Sequence, residues 1–381
     1  MGHPWIFADS VASVEAGSAE EDWVRVVDGD GKVLGCGFLS PESAIRVRLL
    51  TRGDAAPAPE SVLAARIERA VALRERLFPD PAVTNAYRLI HSDGDGLPGL
   101  VVDRLGDVLV AQFGVGATHR RRETLAGLLL ERTGARTLVS RTAGFEDVEG
   151  ITGEPLLVGP EPDETVAIVE CGMALEASPR RGQKTGHYVD QRENRRLVGE
   201  LAGGLDVLDL YAGTGGFSVQ CLRHGATRVL AIDASERSMA AAQRNAERNG
   251  AGERFEARPG DAKAALAALR ADKRRFDLVV CDPPNFFPRR GAERGAMKAH
   301  RELNVRALSR VRPDGFLATF SCSARLDGPR LLEMLRSAAR ECRRPFRVLR
   351  ELGAGPDHPV ASGLPEGRYL AGVLLQVDGE G

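Results

Sequence analysis

Residues 206–217 read DVLDLYAGTGGF, an apolar run that ends in a glycine-rich turn. We predict a buried strand over the apolar run and a helix that begins at Gly216. Between them, Gly213 and Gly215 would let the backbone approach a ligand closely at the carboxyl end of the strand. Further apolar strands, such as RVLAID at 228–233, alternate with helical patterns downstream. Alternation of this length predicts an α/β fold with a doubly wound parallel sheet at the C-terminal end of the chain.

Two smaller regions precede this sheet. Residues 1–56 alternate apolar and polar positions around a turn, which predicts a small β-rich domain. After a Pro- and Ala-rich joint, residues 57–165 combine a helix, with Ser61 as its predicted N-cap, and several strands. This region is predicted to form a middle α+β domain. The doubly wound sheet is then expected within residues 166–381.

Composition restricts the class of protein. The chain has 381 residues, 43% of them hydrophobic, and a net charge of −1, which excludes a predominantly disordered chain. Its apolar runs are too short to span a bilayer, and a signal peptide is not expected. Six scattered cysteines, without a CxxC pair or a Cys/His cluster, predict neither a disulfide framework nor a metal site. We therefore expect a cytoplasmic protein without a metal or a membrane partner.

Positive charge is concentrated locally although the whole chain is nearly neutral. The overall balance argues against a broadly cationic nucleic-acid-binding protein. Residues 285–312, however, contain eight basic and only two acidic side chains, and residues 120–122 are three consecutive arginines. Both stretches are predicted to contact nucleic-acid phosphates, with a solvated helix face as the alternative.

Three acidic residues lie at or near the ends of successive predicted strands. Asp209 precedes the glycine turn, Asp233 ends the next strand, and Asp261 follows the third. This order resembles class I methyltransferases, in which these positions contact the methionine part, the ribose and the adenine of S-adenosylmethionine. The alternative is a tight strand–helix turn in which Asp233 is the N-cap. A nicotinamide site is disfavoured because Ser218 occupies the third glycine position of the GxGxxG pattern.

A turn and a cysteine follow the next two strands of the predicted sheet. The turn DPPNF at 282–286 is stiffened by two prolines, and Phe286 offers a face for a flat base. Cys322 ends the strand after it. A thiolate there would add to carbon 6 of a pyrimidine and make carbon 5 nucleophilic, while Asp282 stabilises charge near N3. The alternatives are an ordinary loop and an inert, buried cysteine, for which Cys281 is the expected example.

Several segments together carry a family resemblance. They are GQKTGHYVDQRENRR (182–196), DLYAGTGGF (209–217), DPPNF (282–286), FSCS (320–323) and DHPVASGLPEGRYL (357–370). In this combination and order, the chain resembles the RlmI/RlmO-type family of bacterial 23S ribosomal RNA cytosine-C5 methyltransferases. The likeness extends to GHPWIF (2–7), which is similar to the start of a PUA RNA-binding domain, and to YRLIHSDGDGLPGLVVD (87–103) in the middle region.

The resemblance implies a function and a set of site residues. It implies a Rossmann-like methyltransferase fold that uses S-adenosylmethionine to make 5-methylcytosine in 23S ribosomal RNA or a large-subunit precursor. The implied catalytic residues are Cys322 as the nucleophile and Asp282 as the acid that contacts the pyrimidine. The predicted cofactor-binding residues are Asp209, Tyr211, Gly213, Gly215, Phe217, Asp233, Asp261, Tyr188 and Gln191. The predicted substrate-binding residues are Lys184, Arg192, Pro283, Pro284, Phe286, Arg289 and Arg290.

The resemblance also implies a wider pocket wall, and it leaves some alternatives open. Gln183, Thr185 and Asp190 would complete that wall, and the loop at 357–359 would lie near the active site. The turn DPPNF at 282–286 lacks a Pro-Cys pair, so a two-cysteine 5-methylcytosine mechanism does not apply. A uracil carbon-5 or guanine methyltransferase, and a non-catalytic RNA-binding protein of the same fold, remain alternatives. The sequence also leaves open whether the protein forms a homodimer.

Overall fold

The computed structural model describes residues 2–15, 17, 22–141, 144, 149–182, 184–286 and 293–379. The chain divides into two compact units. The first comprises Met1–Val169, Ala177–Val189 and Pro356–Gly367. The second comprises Glu170–Glu176, Asp190–Gly355 and Arg368–Gly381.

The first unit begins with a four-stranded antiparallel sheet, in agreement with the predicted β-rich region. The strands lie in the order β1-β4-β3-β2. They are β1 (Trp5–Phe7), β2 (Trp23–Val27), β3 (Val33–Leu39) and β4 (Ile45–Leu49).

A long helix follows the predicted joint. Helix α1 spans Pro59–Leu77 and its N-cap position is Ala58. The prediction that Ser61 is the N-cap was wrong, because Pro59 already occupies the first helical position, where a proline is well tolerated. The Ser61 hydroxyl instead donates a 2.7 Å hydrogen bond to the Ala58 carbonyl. The apolar face of α1, including Leu63 and Ile67, is buried in the core of the first unit.

The rest of the first unit is a five-stranded sheet with two helices. The strands lie in the order β5-β6-β7-β8-β9. They are β5 (Ala86–His91), β6 (Leu100–Leu105), β7 (Val108–Phe113), β8 (Thr137–Arg141) and β9 (Leu157–Val158). The helices are α2 (Gly116–Arg120) and α3 (Arg122–Thr133). The three-domain division at residues 56 and 165 stays a prediction.

A hairpin precedes the large sheet of the second unit. It consists of β10 (Val166–Glu170) and β11 (Met173–Ala177). The strands of the large sheet are β12 (Asp206–Leu210), β13 (Arg228–Asp233), β14 (Phe255–Pro259), β15 (Phe276–Cys281), β16 (Val311–Ser321), β17 (Phe346–Gly353) and β18 (Ala371–Val377). The helices are α4 (Arg192–Gly199), α5 (Gly216–Arg223), α6 (Glu236–Arg248), α7 (Ala262–Ala271), α8 (Glu293–Leu308) and α9 (Gly328–Cys342).

The large sheet reverses its strand order at β12. Its order is β14-β13-β12-β15-β16-β18-β17. The five strands β12 to β16 are parallel, whereas β18 is antiparallel to both of its neighbours, β16 and β17. The chain moves from β12 outward through β13 and β14, and then returns to the other side of β12 as β15. Open α/β sheets bind ligands at such a reversal, beside the carboxyl ends of the strands.

Burial explains why these segments form a central sheet. Residues 207–210 and 278–281 are almost continuous apolar runs and are buried, as expected for strands covered on both faces. Helices α8 and α9 contribute Leu303 and Leu335 to the same core. The predicted fold class, a doubly wound α/β sheet after a small β-rich region, is confirmed. Among the described residues, no helix combines the length and the apolar character needed to cross a membrane.

Candidate functional site

The carboxyl ends of three neighbouring strands meet at one level of the large sheet. Leu210 of β12 pairs with Ile232 of β13 on one side and with Cys281 of β15 on the other. Since each of these residues precedes a polar side chain, Tyr211, Asp233 and Asp282 emerge side by side at the same edge. We refer to this edge, where β12, β13, β15 and β16 end, as the carboxyl edge.

Asp209 lies just below the carboxyl edge and is almost completely buried. Its Oδ2 accepts hydrogen bonds from the backbone N–H of Ser218 at 3.1 Å and from the Ser218 hydroxyl at 2.6 Å. Within the described part of the chain, no hydrogen-bond donor reaches Oδ1. Burial raises the pKa of Asp209 to about 7, and the nearby Asp282 charge adds to this rise. A cationic ligand group beside Oδ1 would relieve both effects.

The glycine turn after β12 has a strained backbone that leaves space for a ligand. Tyr211 has φ +61°, an uncommon conformation for a residue with a side chain. Gly213 has φ +54°, and a Cβ atom there would meet nothing within 4 Å. Gly215 has φ +81°, and its Cβ would come within 2.9 Å of the Ala242 side chain. The first glycine therefore borders open space, whereas the second is needed for packing against α6.

Asp233 fixes this turn through its two carboxylate oxygens. Oδ2 accepts a 3.0 Å hydrogen bond from the Gly213 N–H, and Oδ1 accepts a 2.9 Å bond from the Ser235 N–H. The N-cap of α6 is Ser235, whose hydroxyl accepts from the Ser238 N–H at 3.1 Å. The alternative in which Asp233 itself is the N-cap is therefore wrong.

Two further residues predicted to bind the cofactor have structural partners. Asp261 is the N-cap of α7, where its Oδ1 accepts a 2.8 Å hydrogen bond from the Ala264 N–H. Phe217 is buried, and its ring centroid lies 5.4 Å from that of Phe320. Sequence reasoning missed the capping role of Asp261 and the packing of Phe217 on Phe320. The cofactor contacts of Asp261 and Phe217 stay predictions.

The turn after β15 carries Asp282 at the point where the strand order reverses. The Gln191 amide donates a 3.0 Å hydrogen bond to Asp282 Oδ2. Pro283 is buried and Pro284 is exposed. The Phe286 ring is half-buried and meets His300 edge to face, with 4.7 Å between the ring centroids. These contacts restrain the predicted substrate-facing turn at its first residue, Asp282, and at its last, Phe286.

Cys322 is the first residue after β16, the strand next to β15. Cys281 pairs with Thr319 in the register of these two strands, so Asp282 and Cys322 both lie at the carboxyl edge. Cys322 is half-buried, whereas Cys281 is completely buried, as predicted. Burial raises the pKa of the Cys281 thiol, and the Asp282 charge raises it further. Cys281 is therefore held as a neutral thiol.

Four arginines of the predicted basic stretches are engaged in internal contacts. Arg120 and Arg121 pair with the buried Asp22 at 2.6 and 2.8 Å. Arg310 is buried and donates to two backbone carbonyls, and Arg312 pairs with Asp277 at 2.6 Å. These four arginines therefore have partners within the protein, and the predicted phosphate contacts of both stretches stay a prediction. The predicted substrate residues Arg289 and Arg290, and Gln183 of the pocket wall, lie outside the described residues.

Three of the predicted pocket residues, Lys184, Thr185 and Tyr188, belong to the first unit. Lys184 adopts φ +49°, and its ammonium group lies 4.5 Å from the centroid of the Tyr188 ring. The neighbouring Thr185 hydroxyl donates to the buried Asp103 carboxylate. In the second unit, Arg192 is completely buried, and the Asp190 carboxylate accepts a 2.8 Å hydrogen bond from the Tyr369 hydroxyl. The roles of Lys184, Tyr188 and Arg192 in binding stay predictions.

The loop at 357–359 is anchored within the first unit. Asp357 Oδ2 accepts a 2.9 Å hydrogen bond from the Arg88 N–H, and the Asp357 carbonyl accepts a 2.7 Å bond from Arg74. The His358 ring lies 4.9 Å from that of His91. Burial, helped by the Arg88 charge, lowers the pKa of His91 to about 2. This buried network was not foreseen, because its members are far apart in the sequence.

The carboxyl edge fits S-adenosylmethionine. Asp209 offers a buried carboxylate oxygen for the ammonium group of the methionine part, and Gly213 leaves room for the ligand beside the turn. Asp233 retains lone pairs that can accept from ribose hydroxyls. A sheet of this order with these residues at its reversal point defines the class I fold of S-adenosylmethionine-dependent methyltransferases.

Comparison with known proteins agrees with this class. Residues 148–363 match the family described as S-adenosylmethionine-dependent methyltransferase. Residues 1–52 match the family described as PUA-like domain. Ribosomal RNA large subunit methyltransferase I of Shewanella denitrificans is 33% identical over 379 residues, which cover 98% of this chain and 95% of that protein. The chain belongs to the same family of S-adenosylmethionine-dependent methyltransferases.

Two solved structures share the whole fold. A SAM-dependent methyltransferase from Streptococcus mutans has a TM-score of 0.83 at 18% identity, covering 98% of this chain and 95% of that one. A methyltransferase complexed with SAH also has a TM-score of 0.83, at 19% identity, covering 99% of this chain and 96% of that one. At this identity they show the fold alone.

Proposed function

We propose that the protein methylates carbon 5 of a cytosine in 23S ribosomal RNA through a covalent bond between Cys322 and carbon 6. Three observations support this proposal. The relatives that align along nearly the whole chain carry the name ribosomal RNA large subunit methyltransferase I. Residues 1–52 match a PUA-like domain. Cys322 lies at the carboxyl edge, directly after β16, the strand next to the one that Asp282 follows.

The position of Cys322 is the observation that carries the proposal. Of the six cysteines, Cys36, Cys221 and Cys281 are buried, and Cys171 and Cys342 lie away from the carboxyl edge. Cys322 alone combines partial exposure with a place at that edge. A cytosine carbon 5 is too weak a nucleophile to take a methyl group directly, so a thiolate at this position has a chemical purpose.

The reaction at the base consists of addition, methyl transfer, proton removal and elimination. When bound, S-adenosylmethionine supplies an electrophilic methyl group on its sulfonium. The Cys322 thiolate adds to carbon 6, and the electron pair of the carbon 5–carbon 6 double bond makes carbon 5 the nucleophile. Carbon 5 takes the methyl group as the methyl–sulfur bond breaks, and the electron pair of that bond leaves with the sulfur of S-adenosylhomocysteine. A base then removes the carbon-5 proton, the double bond re-forms, and the Cys322 thiolate leaves.

Asp282 is the proposed partner of the cytosine ring. Addition of the thiolate builds up negative charge at N3, and a proton held between Asp282 and N3 would stabilise it. The Gln191 amide donates to Oδ2 of the same carboxylate, which fixes its orientation. Phe286, four residues later, is the proposed stacking face. Because carbons 5 and 6 are inaccessible in a stack, we expect a single-stranded or flipped-out cytosine.

Methyl transfer from labelled S-adenosylmethionine tests the proposal. The purified protein would be incubated with 23S ribosomal RNA and with large-subunit precursor particles, and the product nucleosides identified by mass spectrometry. We expect 5-methylcytidine. A methylated uridine or guanosine would contradict the proposed target, and guanine methylation would leave Cys322 without a chemical role.

A further inference from the structure

A cleft of about 600 Å³ lies between helices α8 and α9 of the second unit. One face of each helix lines the cleft. On both helices the lining positions recur every three or four residues, which places their side chains on the same side of the helix. The lining residues are Glu293, Met297, Lys298, Arg301, Arg325, Arg330, Glu333, Met334 and Ser337. None of them belongs to the cofactor or catalytic residues described above.

The cleft begins at the carboxyl edge. Helix α9 follows the end of β16, and α8 lies between the end of β15 and the start of β16, so both helices begin at this edge and run away from it. Arg325 follows Cys322 by only three residues. From Glu293 to Arg301, the lining extends for about 12 Å along α8. The cleft therefore starts near the proposed catalytic cysteine.

The lining combines apolar and charged groups in a way that suits a nucleotide. Met297 and Met334 provide an adaptable apolar surface for a base. Lys298, Arg325 and Arg330 provide positive charge, and Arg330 also donates a 3.0 Å hydrogen bond to the Arg325 carbonyl, which keeps these two residues together. Guanidinium groups match phosphate oxygens in pairs and stack on bases.

The remaining charges of the cleft do not cancel this preference. Arg301 pairs with Glu341, and Lys298 lies 3.9 Å from Glu302 in an exposed pair that contributes little. Glu293 and Glu333 are exposed carboxylates in the lining, and they can accept hydrogen bonds from ribose hydroxyls or base amino groups. The lining therefore holds four basic and two acidic side chains.

We propose that this cleft binds the RNA segment that flanks the methylated base, with a phosphate at Arg325 and Arg330 and a base against Met297 and Met334. The inference rests on the proposed function, since it needs an RNA substrate. An acidic protein segment is the other conceivable occupant. RNA is favoured because basic side chains outnumber acidic ones in the lining, and because the lining residue Arg325 follows Cys322 by only three positions.

Charge reversal at Arg330 tests the cleft directly. In Arg330→Glu, a glutamate occupies the third position of α9, where it favours the helix N-terminus, so the variant is expected to fold. Lys298→Gln is a milder second variant. The matched control is Arg336→Glu, because Arg336 is exposed on α9 but does not line the cleft. Each full-length protein would be titrated with a 23S ribosomal RNA fragment over a range of salt concentrations.

We expect Arg330→Glu to lower RNA affinity by about tenfold and to reduce the slope of log K against log salt by about one. Lys298→Gln should act in the same direction, Arg336→Glu should resemble the wild type, and S-adenosylmethionine affinity should stay unchanged in all three. If Arg330→Glu and Arg336→Glu bind RNA with equal affinity while the wild type binds and methylates RNA, the cleft inference is wrong and the proposed function is unaffected. If these variants instead lose only the binding of poly-glutamate, the cleft takes a protein. If the wild type neither binds nor methylates RNA, both proposals fail.

Discussion

The side-chain amide of Gln191 donates a 3.0 Å hydrogen bond to Oδ2 of Asp282. The side-chain oxygen of Gln191 in turn accepts a 2.6 Å hydrogen bond from the side-chain amide of Asn194. These two partners fix the orientation of the Gln191 side-chain amide. Family resemblance predicts Gln191 as a cofactor-binding residue. Its bond to Asp282 adds a second role, in which it positions the carboxylate proposed to contact the pyrimidine.

Substitution of Gln191 distinguishes these two roles. Gln191→Met keeps the size of the side chain and removes the hydrogen bond to a carboxylate. We expect kcat to fall by roughly ten- to a hundredfold, because a hydrogen bond to a charged group is worth about 1.5–3 kcal/mol. If Gln191 acts mainly by positioning Asp282, the affinity for S-adenosylmethionine, measured by calorimetry, stays within about twofold. A weaker affinity with an unchanged kcat would instead support the cofactor role alone.

The protonation of Asp209 predicts that cofactor binding depends on pH. Burial raises the pKa of this carboxyl group to about 7, so at pH 6 it is mostly protonated in the free protein. A cationic ligand favours the ionised form, and binding therefore releases a proton below pH 7. We expect the affinity for S-adenosylmethionine to rise by up to about tenfold per pH unit from pH 5.5 to 7. Titration calorimetry in buffers of different ionisation enthalpy would measure the released proton.

The Asn variant is the control for this pH dependence. Asp209→Asn should bind the cofactor more weakly at pH 7.5, and its affinity should no longer depend on pH between 5.5 and 7. The same pKa shift affects stability in the opposite direction. Since the folded state keeps a proton that the unfolded chain releases between about pH 4 and 7, this group destabilises the ligand-free protein as pH rises through that range. An affinity equally pH-dependent in Asp209→Asn would contradict the assignment.

The glycine turn predicts a local cost for any side chain at Gly215. With φ +81° and Ala242 within 2.9 Å of a Cβ atom, Gly215→Ala is strained in two ways. We expect it to lower the free energy of unfolding by roughly 1–3 kcal/mol. Gly127 in α3 is the matched control, because a Cβ there meets nothing within 4 Å. Gly127→Ala should stabilise the protein by up to about 1 kcal/mol, and equal effects in urea unfolding would contradict this account.

The two cysteines of neighbouring strands should respond differently to substitution. Cys322→Ala should abolish methyl transfer while it leaves S-adenosylmethionine binding intact. Cys281→Ala removes a buried thiol and should cost about 1–2 kcal/mol of stability, with turnover close to the wild type. Steady-state assays with 23S ribosomal RNA and thermal unfolding would separate the two effects. Normal turnover of Cys322→Ala would rule out the covalent mechanism.

The parts of the fold with a local sequence signal could be predicted. A buried apolar run followed by glycines identifies β12 and the start of α5, because strand burial and positive φ angles restrict the residue types at those positions. The parallel strand order then explains why Asp233 and Asp282 emerge next to Tyr211. The predicted burial of Cys281 follows from the same pattern.

Pairings between distant residues could not be predicted. Arg120 and Asp22 are 98 positions apart, and Gln191 and Asp282 are 91 positions apart. A charge count along the sequence cannot show that an arginine has a carboxylate partner from another element, as Arg120 and Arg121 have in Asp22. The cleft between α8 and α9 was missed for a related reason, since its lining comes from separate elements, with four of its nine residues on α9.

A trapping experiment tests the central claim most directly. The protein would be incubated with S-adenosylmethionine and a 23S ribosomal RNA fragment in which 5-fluorocytidine replaces cytidine, then denatured, digested and analysed by mass spectrometry. Because fluorine replaces the proton that must leave carbon 5, thiolate release is blocked and the adduct accumulates. The account predicts a methylated fluorocytosine bound covalently to Cys322, and no adduct in Cys322→Ala. Efficient methylation of the unmodified RNA without any trapped adduct, or an adduct on another cysteine, would contradict it.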